Sequence, residues 1–151
     1  MKVLLFQPLI PQNVGNIART CLALNTTLVL VRPIGFSLSE RQIRRAGMDY
    51  WSKVKLEVID DLQEYLKNYD SFYFFSSKAY KESRKACFKE DSLLIFGNER
   101  EGLPSYLFTL WEDRFLKIKM QEGVRCFNLA NSVAIALYEA SSKLSFTTLS
   151  F

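Results

Sequence analysis

A short apolar segment that ends in a glycine-containing loop constrains the fold of this chain most strongly. Leu93–Phe96 is a run of four apolar residues, followed by Gly97, a polar stretch, Gly102 and Pro104. A run of this length is typical of a strand buried on both faces of a sheet, and a helix can begin at the proline. Ligands of open α/β sheets bind at the carboxyl ends of the strands, so we predict a ligand site at this loop.

The rest of the chain repeats this alternation of strand-like and helix-like segments. Asn13 is predicted to cap the first helix, a short basic helix begins at Ser39, and Asp60 is predicted to cap the helix after it. The pattern predicts an α/β fold, with a mostly parallel sheet and helices on both faces, in a single domain over residues 1–151. Strands are predicted at 3–6, 26–31, 54–59, 71–75, 93–96 and 115–118. Besides the basic helix, helices are predicted at about 14–24, 61–67, 105–111 and 128–143.

The cysteine and histidine content limits the chemistry of the protein. The three cysteines include no C-x-x-C pair, and the chain has no histidine. We therefore expect no disulfide and no metal site, and catalysis would have to proceed without the commonest general base. No apolar run approaches the ~18 residues of a membrane span, and Pro8 interrupts the first apolar segment too early for a secretory signal. These features predict a cytoplasmic protein that does not associate with a membrane.

Positive charge is concentrated in one part of the chain. Between Arg32 and Lys55 there are six basic and two acidic residues, an excess that equals the net charge of +4 for the whole chain. We call residues 32–55 the basic window. Such a patch suits contacts with phosphate groups, although an ordinary solvated helix face has the same composition.

Three loops at strand-to-helix junctions combine glycines with polar side chains. In the first loop, Asn13, Asn16 and Arg19 are spaced three apart, and in the last, Asn128, Asn131 and Ser132 follow helical spacing. Amides and a cation near a helix start suit an anionic or polyhydroxyl ligand. The glycines allow close backbone approach or simply serve turns. Neither a Walker loop nor a dinucleotide-binding fingerprint is present. The glycines of the three loops are Gly15, Gly97, Gly102 and Gly123.

Together these loops resemble the motifs of the SPOUT RNA methyltransferases, and most closely those of the TrmL-type tRNA wobble-nucleotide 2′-O-methyltransferases. Five motifs occur in order over nearly the whole chain. They are Gln7-Pro8-x-Ile10-Pro11-x-Asn13-x-Gly15-Asn16-Ile17-x-Arg19, Pro33-x-Gly35-Phe36-Ser37, Arg44-Arg45-Ala46-Gly47-x-Asp49-Tyr50, Phe96-Gly97-x-Glu99-x-x-Gly102-Leu103-Pro104 and Asn128-Leu129-x-Asn131.

The resemblance implies a C-terminal trefoil knot, a homodimer, and methyl transfer from S-adenosyl-L-methionine to the ribose 2′-hydroxyl of the wobble nucleotide of tRNA, with S-adenosyl-L-homocysteine as product. It implies catalytic roles for Arg19 and Tyr138. The implied cofactor-binding residues are Phe75, Ser76, Ser77, Gly97, Asn98, Glu99, Gly102, Ile118, Met120, Cys126 and Asn128. The implied RNA-binding residues are Asn13, Asn16, Arg41, Arg44 and Arg45.

Three positions depart from the family pattern. Lys119 replaces the usual proline, while Cys126 and Ala130 replace serines. They leave open an alternative function, that of an RNA-binding module or inactive paralogue without methyl transfer. A flavodoxin-like nucleotide-binding domain has the right size but explains neither the first loop nor the basic window. The sequence also leaves open the tRNA isoacceptors, the modified base, and whether Arg19 acts as a base or as an electrostatic stabiliser.

Overall fold

A computed structural model of the chain describes residues 1–39 and 49–144. The short basic helix predicted to begin at Ser39 lies, apart from Ser39 itself, outside these residues. The strands are β1 (Lys2–Phe6), β2 (Thr27–Val31), β3 (Leu56–Ile59), β4 (Phe72–Phe75), β5 (Lys81–Glu82), β6 (Leu93–Phe96) and β7 (Phe115–Lys117). The helices are α1 (Pro11–Ala23), α2 (Leu62–Leu66), α3 (Ser105–Trp111) and α4 (Leu129–Lys143).

The seven strands form one sheet in the order β3-β2-β1-β6-β4-β7-β5, and every pairing is parallel. The chain builds the half around β1, β2 and β3 first. It then crosses to β4 on the far side, and β6 returns to pair with β1 and β4. The predicted parallel sheet is therefore confirmed, and its topology changes direction beside β1.

Successive residues of the central strands pack against opposite faces of the sheet, as the two-residue period of a strand requires. Val3 and Leu5 belong to one buried cluster, together with residues of α1 and α4, whereas Leu4 belongs to a second cluster with residues of α2 and α3. Helices therefore cover both faces, as predicted. Leu93–Phe96, the run that dominated the sequence pattern, is buried along its whole length.

Two predicted helix caps needed correction. Ile10, not Asn13, is the N-cap of α1, because Pro11 occupies the first helical position and Asn13 lies inside the first turn. Asp61, not Asp60, caps α2, where its Oδ1 accepts a hydrogen bond from the Glu64 N–H at 3.0 Å. The two-residue strand β5 is too short to give a periodic pattern, and the sequence did not predict it.

Four neighbouring strands end side by side, and their loops bring the motifs together. β1, β6, β4 and β7 are adjacent in the sheet, and each is followed by a stretch that carries predicted site residues. Because the strands are parallel, all four of these loops emerge at one edge, which is the usual ligand site of such sheets. No helix in residues 1–39 or 49–144 is long and apolar enough to cross a membrane. The implied trefoil knot stays a prediction.

Candidate active site at the carboxyl edge of the sheet

An open cleft of about 660 Å³ lies where the loops after β4, β6 and β7 meet the start of α1. Its volume is in the range of small-molecule and cofactor sites. All eleven of the residues predicted to bind the cofactor line this cleft: Phe75, Ser76, Ser77, Gly97, Asn98, Glu99, Gly102, Ile118, Met120, Cys126 and Asn128. The tertiary structure thus gathers residues from three separate motifs around one space.

The turn after β6 is closed by its own backbone. The Asn98 N–H donates to the Gly102 carbonyl at 3.3 Å, and the Gly102 N–H donates to the Asn98 carbonyl at 3.1 Å. Gly102 has a φ of 72°, which favours glycine. A Cβ on Gly97 would lie 2.1 Å from the Gly102 carbonyl carbon, so no side chain fits there. Both glycines therefore serve the turn itself, Gly97 because of space and Gly102 because of its backbone angle.

The Glu99 carboxylate joins this turn to the beginning of α1. Its Oε2 accepts a hydrogen bond from the Leu9 N–H at 2.8 Å, and its Oε1 accepts from the Ile10 N–H at 3.0 Å and from Asn13 Nδ2 at 3.2 Å. A carboxylate at a helix N-terminus is stabilised by the unpaired amides and the positive end of the helix dipole. Although Glu99 lines the cleft, its oxygens are committed to α1, which favours a loop-orienting role.

Asn13 continues this connection to the last helix. Its Oδ1 accepts a hydrogen bond from Asn128 Nδ2 at 3.1 Å, and Asn128 Oδ1 in turn caps α4 by accepting from the Ala130 N–H at 2.8 Å. Glu99, Asn13 and Asn128 thus link the starts of two helices to the β6 turn, and we call these three residues the cleft frame. Asn13 is only 7% exposed and both ends of its amide are used, so we assign it to this frame rather than to an RNA contact.

The lining of the cleft fits a nucleoside-containing cofactor. Apolar side chains such as Phe96, Leu103 and Leu129 suit a purine, whereas Ser76 and Ser77 offer hydroxyl groups to a ribose. The sequence reasoning did not select four charged lining residues, whose only signal was their position inside or beside the motif loops. They are Lys78, Arg100, Glu101 and Arg125.

The three departures from the family pattern differ in their relation to the cleft. Lys119 is exposed and does not line the cleft, although its neighbours Ile118 and Met120 do. Ala130 is buried in the core cluster that contains α1 and α4. Only Cys126 replaces a lining residue. Two of the three substitutions therefore leave the lining of the cleft unchanged.

The two predicted catalytic residues lie outside the cleft of their own chain. Arg19 is exposed on α1, with its guanidinium carbon 4.8 Å from the centre of the Tyr50 ring. Tyr138 is 59% exposed on α4. Neither residue is among those that line the cleft. Tyr50 is not among the predicted site residues, and its only sequence signal is its place at the end of the third motif.

The structure describes only some of the predicted RNA-binding residues. Asn16 is exposed on α1, beside Arg19 in the helical spacing. Each step of three residues falls about 60° short of a full helical turn, so the series from Asn13 to Arg19 rotates from the core to the surface. Arg41, Arg44 and Arg45 lie outside the described residues. In the described part of the basic window, Arg32 forms an ion pair with Asp60 at 2.9 Å.

A second polar cluster lies toward the amino ends of the strands, and we call it the amino-edge cluster. Lys2 Nζ lies 2.7 Å from Glu57 Oε1, the Tyr65 hydroxyl donates to Glu57 Oε2 at 2.6 Å, and the Tyr69 hydroxyl donates to that of Tyr65 at 2.9 Å. Burial lowers the pKa of Lys2, but hydrogen bonds to Glu57 and the tyrosines outweigh it and raise the pKa. These four side chains thus serve as one another's hydrogen-bond partners.

The described residues contain no group of three or more His, Cys, Asp or Glu side chains that could hold a metal ion. All three thiols lie within those residues and are unpaired. Cys21 is buried, while Cys87 and Cys126 are exposed. Burial raises the pKa of the Cys21 thiol to about 12, which keeps it protonated and unreactive.

Comparison with known proteins gives consistent matches over nearly the whole chain. A profile of the SpoU rRNA methylase family matches residues 1–138. A putative tRNA (cytidine(34)-2′-O)-methyltransferase of Geobacillus stearothermophilus is 44% identical over 155 residues, covering 99% of each chain. The crystal structure of a putative RNA methyltransferase from Bacillus anthracis is similar with a TM-score of 0.92 and 37% identity, covering 99% of this chain and 98% of that one. A structure described as giving insights into the 2-OH methylation of C/U34 on tRNA has a TM-score of 0.87 and 40% identity, covering 96% of each chain.

Proposed function

The chain belongs to the SpoU rRNA methylase family, and on that premise we propose that it transfers a methyl group from S-adenosyl-L-methionine to the ribose 2′-hydroxyl of the wobble nucleotide of tRNA. The Geobacillus relative, which matches over 99% of its length, is named as a putative tRNA (cytidine(34)-2′-O)-methyltransferase, and the structure described as concerning 2-OH methylation of C/U34 on tRNA matches over 96% of its length. The observation that supports the proposal most directly is the convergence of three motif loops on one cofactor-sized cleft.

The residues of the cleft suit the binding of this cofactor, which supplies a methyl group already activated as a sulfonium. The lining combines apolar side chains with polar groups, and the cleft frame holds the β6 turn against the starts of α1 and α4. Since the methyl group is activated before it binds, the main task of the protein is to orient the two reactants. Phe75, Gly97, Ile118 and Cys126 are the proposed adenosyl contacts.

Arg19 is the residue that we propose for the reaction centre. The ribose hydroxyl is a weak acid, so its oxygen gains negative charge as it attacks the methyl group. A guanidinium rarely gives up its proton, and we assign Arg19 to hydrogen bonding of the developing alkoxide rather than to proton abstraction. Tyr138, on α4, is the second proposed participant.

A homodimer would explain why Arg19 and Tyr138 lie outside the cleft of their own chain. Both are exposed, and a second copy of the chain could bring them to a cleft that already has its cofactor residues. The basic window would then hold the tRNA backbone across both copies. The proposed RNA contacts are Arg41, Arg44 and Arg45 of the window and Asn16 on α1. A tRNA-modifying protein of this kind would work in the cytoplasm.

The direct test is methyl transfer by the purified protein to tRNA transcripts, followed by mass spectrometry of the nucleosides. We expect one new 2′-O-methyl nucleotide at position 34, and Arg19→Ala should lower turnover about 100-fold or more while leaving cofactor affinity within a factor of two. A protein that binds tRNA and cofactor but yields no methylated nucleotide would support the alternative of an inactive RNA-binding module.

A mixing experiment tests whether the active site is shared between two chains. Arg19→Ala retains its cleft, and Cys126→Trp blocks its cleft but keeps Arg19, so each variant alone should be inactive. If the site uses both chains, refolded mixtures should recover about a quarter of wild-type turnover, since about half of the dimers are mixed and each restores one site of two. No recovery in verified mixed dimers would contradict a shared site.

Salt dependence tests the role of the basic window. Each phosphate contact that is lost should lower the slope of log affinity against log salt by about one. Arg44→Ala/Arg45→Ala should therefore bind tRNA more weakly and with a shallower slope than the wild type. An unchanged slope would remove these two residues from the RNA-binding surface.

A further inference from the structure

We propose that Tyr50 is a positioning residue for Arg19, which it holds by its ring face so that the guanidinium keeps its hydrogen-bond donors available for the substrate. The proposal rests on the proposed function, because it concerns how Arg19 is prepared for that reaction. It adds a residue that neither the motifs nor the comparisons assign to the site.

The contact has two points of attachment. The Arg19 guanidinium carbon lies 4.8 Å from the centre of the Tyr50 ring, within the range of a cation–π interaction. The Tyr50 hydroxyl donates a hydrogen bond to the Gly15 carbonyl at 2.5 Å. Gly15 is four residues before Arg19 on α1, about one helical turn away. The phenol is therefore hydrogen-bonded to the helix that carries Arg19, and this bond favours the position of the ring beside the guanidinium.

The surroundings of Tyr50 make it a firm support. It is half-buried, it packs against the core cluster that contains residues of α1 and α4, and it precedes the short 3₁₀-helix Trp51–Lys53. Arg19, by contrast, is exposed, and a long exposed side chain would otherwise sample many rotamers. A rigid ring next to it reduces the entropy lost when the guanidinium meets the substrate.

The chemical nature of the support matters as much as its position. Within residues 1–39 and 49–144, the Arg19 guanidinium forms no ion pair with a carboxylate, and the one cation–π contact that it makes there is with the ring of Tyr50. A carboxylate would take up two guanidinium donors and offset the charge. An aromatic face attracts the cation without accepting such a pair of hydrogen bonds. Arg19 can thus be held in place and still present its donors to a developing alkoxide or a phosphate.

The experiment separates the ring from the hydroxyl. Tyr50→Phe keeps the ring and should retain at least about half of wild-type kcat, and Tyr50→Trp should do the same. Tyr50→Leu removes the ring and should lower kcat about tenfold, a loss of the size expected for a cation–π contact, with cofactor affinity within a factor of two. Tyr50→Met, which fills more of the space without an aromatic face, replaces Tyr50→Leu if that variant does not fold.

A double-mutant comparison decides whether the effect passes through Arg19. In the Arg19→Ala background, Tyr50→Leu should cause no further loss of kcat, measured in single-turnover reactions with excess protein. Trp51→Leu is the matched control, since Trp51 packs against the same core cluster. It should lower the melting temperature, and any change in kcat that it causes should be the same in the wild-type and Arg19→Ala backgrounds. An equal loss in both backgrounds, or full activity of Tyr50→Leu, would overturn the proposal while the wild-type activity stands. An inactive wild type would instead overturn the proposed function.

Discussion

The amino-edge cluster and the cleft frame are built from similar hydrogen bonds but differ in what they enclose. At the amino edge, the side chains of Lys2, Glu57, Tyr65 and Tyr69 bond to one another. At the carboxyl edge, the Glu99 carboxylate accepts hydrogen bonds from backbone amides before α1 and from Asn13. A cleft of about 660 Å³ lies beside it. The first arrangement stabilises the fold, and the second holds open a binding site.

The difference follows from the partners of each carboxylate. Glu57, on β3, bonds to Lys2 on β1 and to Tyr65 on α2, so its interactions end within the cluster. Glu99 is met by amides at a helix start, which are fixed by the backbone and cannot close around it. A side chain that binds such fixed amides holds its own loop in a defined position relative to the helix start. Four predictions test this distinction, in order of decreasing effect.

Substitution of the glycines in the β6 turn should have the largest effect. Gly97→Ala places a Cβ against the backbone of Gly102, so the turn must shift, and we expect a loss of about 3 kcal/mol of unfolding free energy together with cofactor binding. Gly102→Ala meets no atom within 4 Å and suffers only its φ of 72°, at a cost of about 1 kcal/mol. Urea unfolding at one chain concentration measures both variants. Equal losses would show that space at Gly97 is not the controlling factor.

Removal of one charge from each cluster compares the two directly. Glu99→Gln loses the charge-assisted bonds to α1, and we expect a cost of about 2 kcal/mol and weaker cofactor binding. Glu57→Gln breaks a pair whose side chains are about a third exposed, so solvent screening limits the loss to about 1 kcal/mol or less. Calorimetry should show unchanged cofactor affinity for Glu57→Gln. If both variants lost the same affinity, the cleft frame would have no special role in binding.

Protection of a thiol should report occupation of the cleft without any need for activity. Cys126 lines the cleft, whereas Cys87 is exposed elsewhere and provides an internal control. S-adenosyl-L-homocysteine at ten times its dissociation constant should slow the alkylation of Cys126 about tenfold and leave that of Cys87 unchanged. Mass spectrometry of the labelled peptides measures both rates. Equal protection of the two thiols, or none at Cys126, would place the ligand elsewhere.

The pH dependence of stability should reveal the amino-edge cluster, with the smallest effect. Burial raises the pKa of Glu57, but hydrogen bonds from Lys2 and Tyr65 outweigh it and hold the pKa below its ordinary value of 4.5. The stability that Glu57 contributes is therefore present above about pH 4.5 and is lost as the pH falls through its lower, folded-state pKa.

The opposite sign holds at alkaline pH. Burial and the hydrogen bond to Glu57 raise the pKa of Tyr65 above 10.0, so the stability that Tyr65 contributes is present below about pH 10 and is lost as the pH rises further.

Urea unfolding from pH 3 to pH 6 tests the acid side. The free energy of unfolding should fall less at acid pH, by less than about 1 kcal/mol, for Glu57→Gln than for the wild type. An identical acid loss in the variant would assign the effect to other carboxyl groups.

Much of the architecture was predictable because local patterns agreed with it. The boundaries of the strand Leu93–Phe96 and of the helix from Ser105 to Trp111 were predicted correctly, since an apolar run or a helix after a proline is marked by adjacent residues. The start of α1 was misplaced at Asn13 because two start signals, a proline and an asparagine, lie two residues apart. Only the structure shows that the proline occupies the start of the helix and that the asparagine is buried within its first turn.

Long-range partners were not predictable in the same way. Nothing near Glu99 in the sequence indicates that its oxygens bind amides 89 and 90 positions away. The stacking of Tyr50 on Arg19 likewise joins residues from two separate motifs. Such contacts depend on which loops the strand order brings together, and the order β1-β6-β4-β7 has no signal in any local segment.

The sequence by itself determined the class of fold, because strand runs and turn glycines are local properties of the chain. Its motifs also resembled those of the family, and that resemblance implied the eleven residues that line the cleft. Only the tertiary structure decided how those residues are used. Glu99 and Asn13 link the β6 turn to the starts of two helices, Gly97 lies too close to its own turn for a side chain, and the Arg19 guanidinium lies against an aromatic ring. These roles depend on atoms brought together by parallel pairing of distant strands, which sequence spacing does not encode.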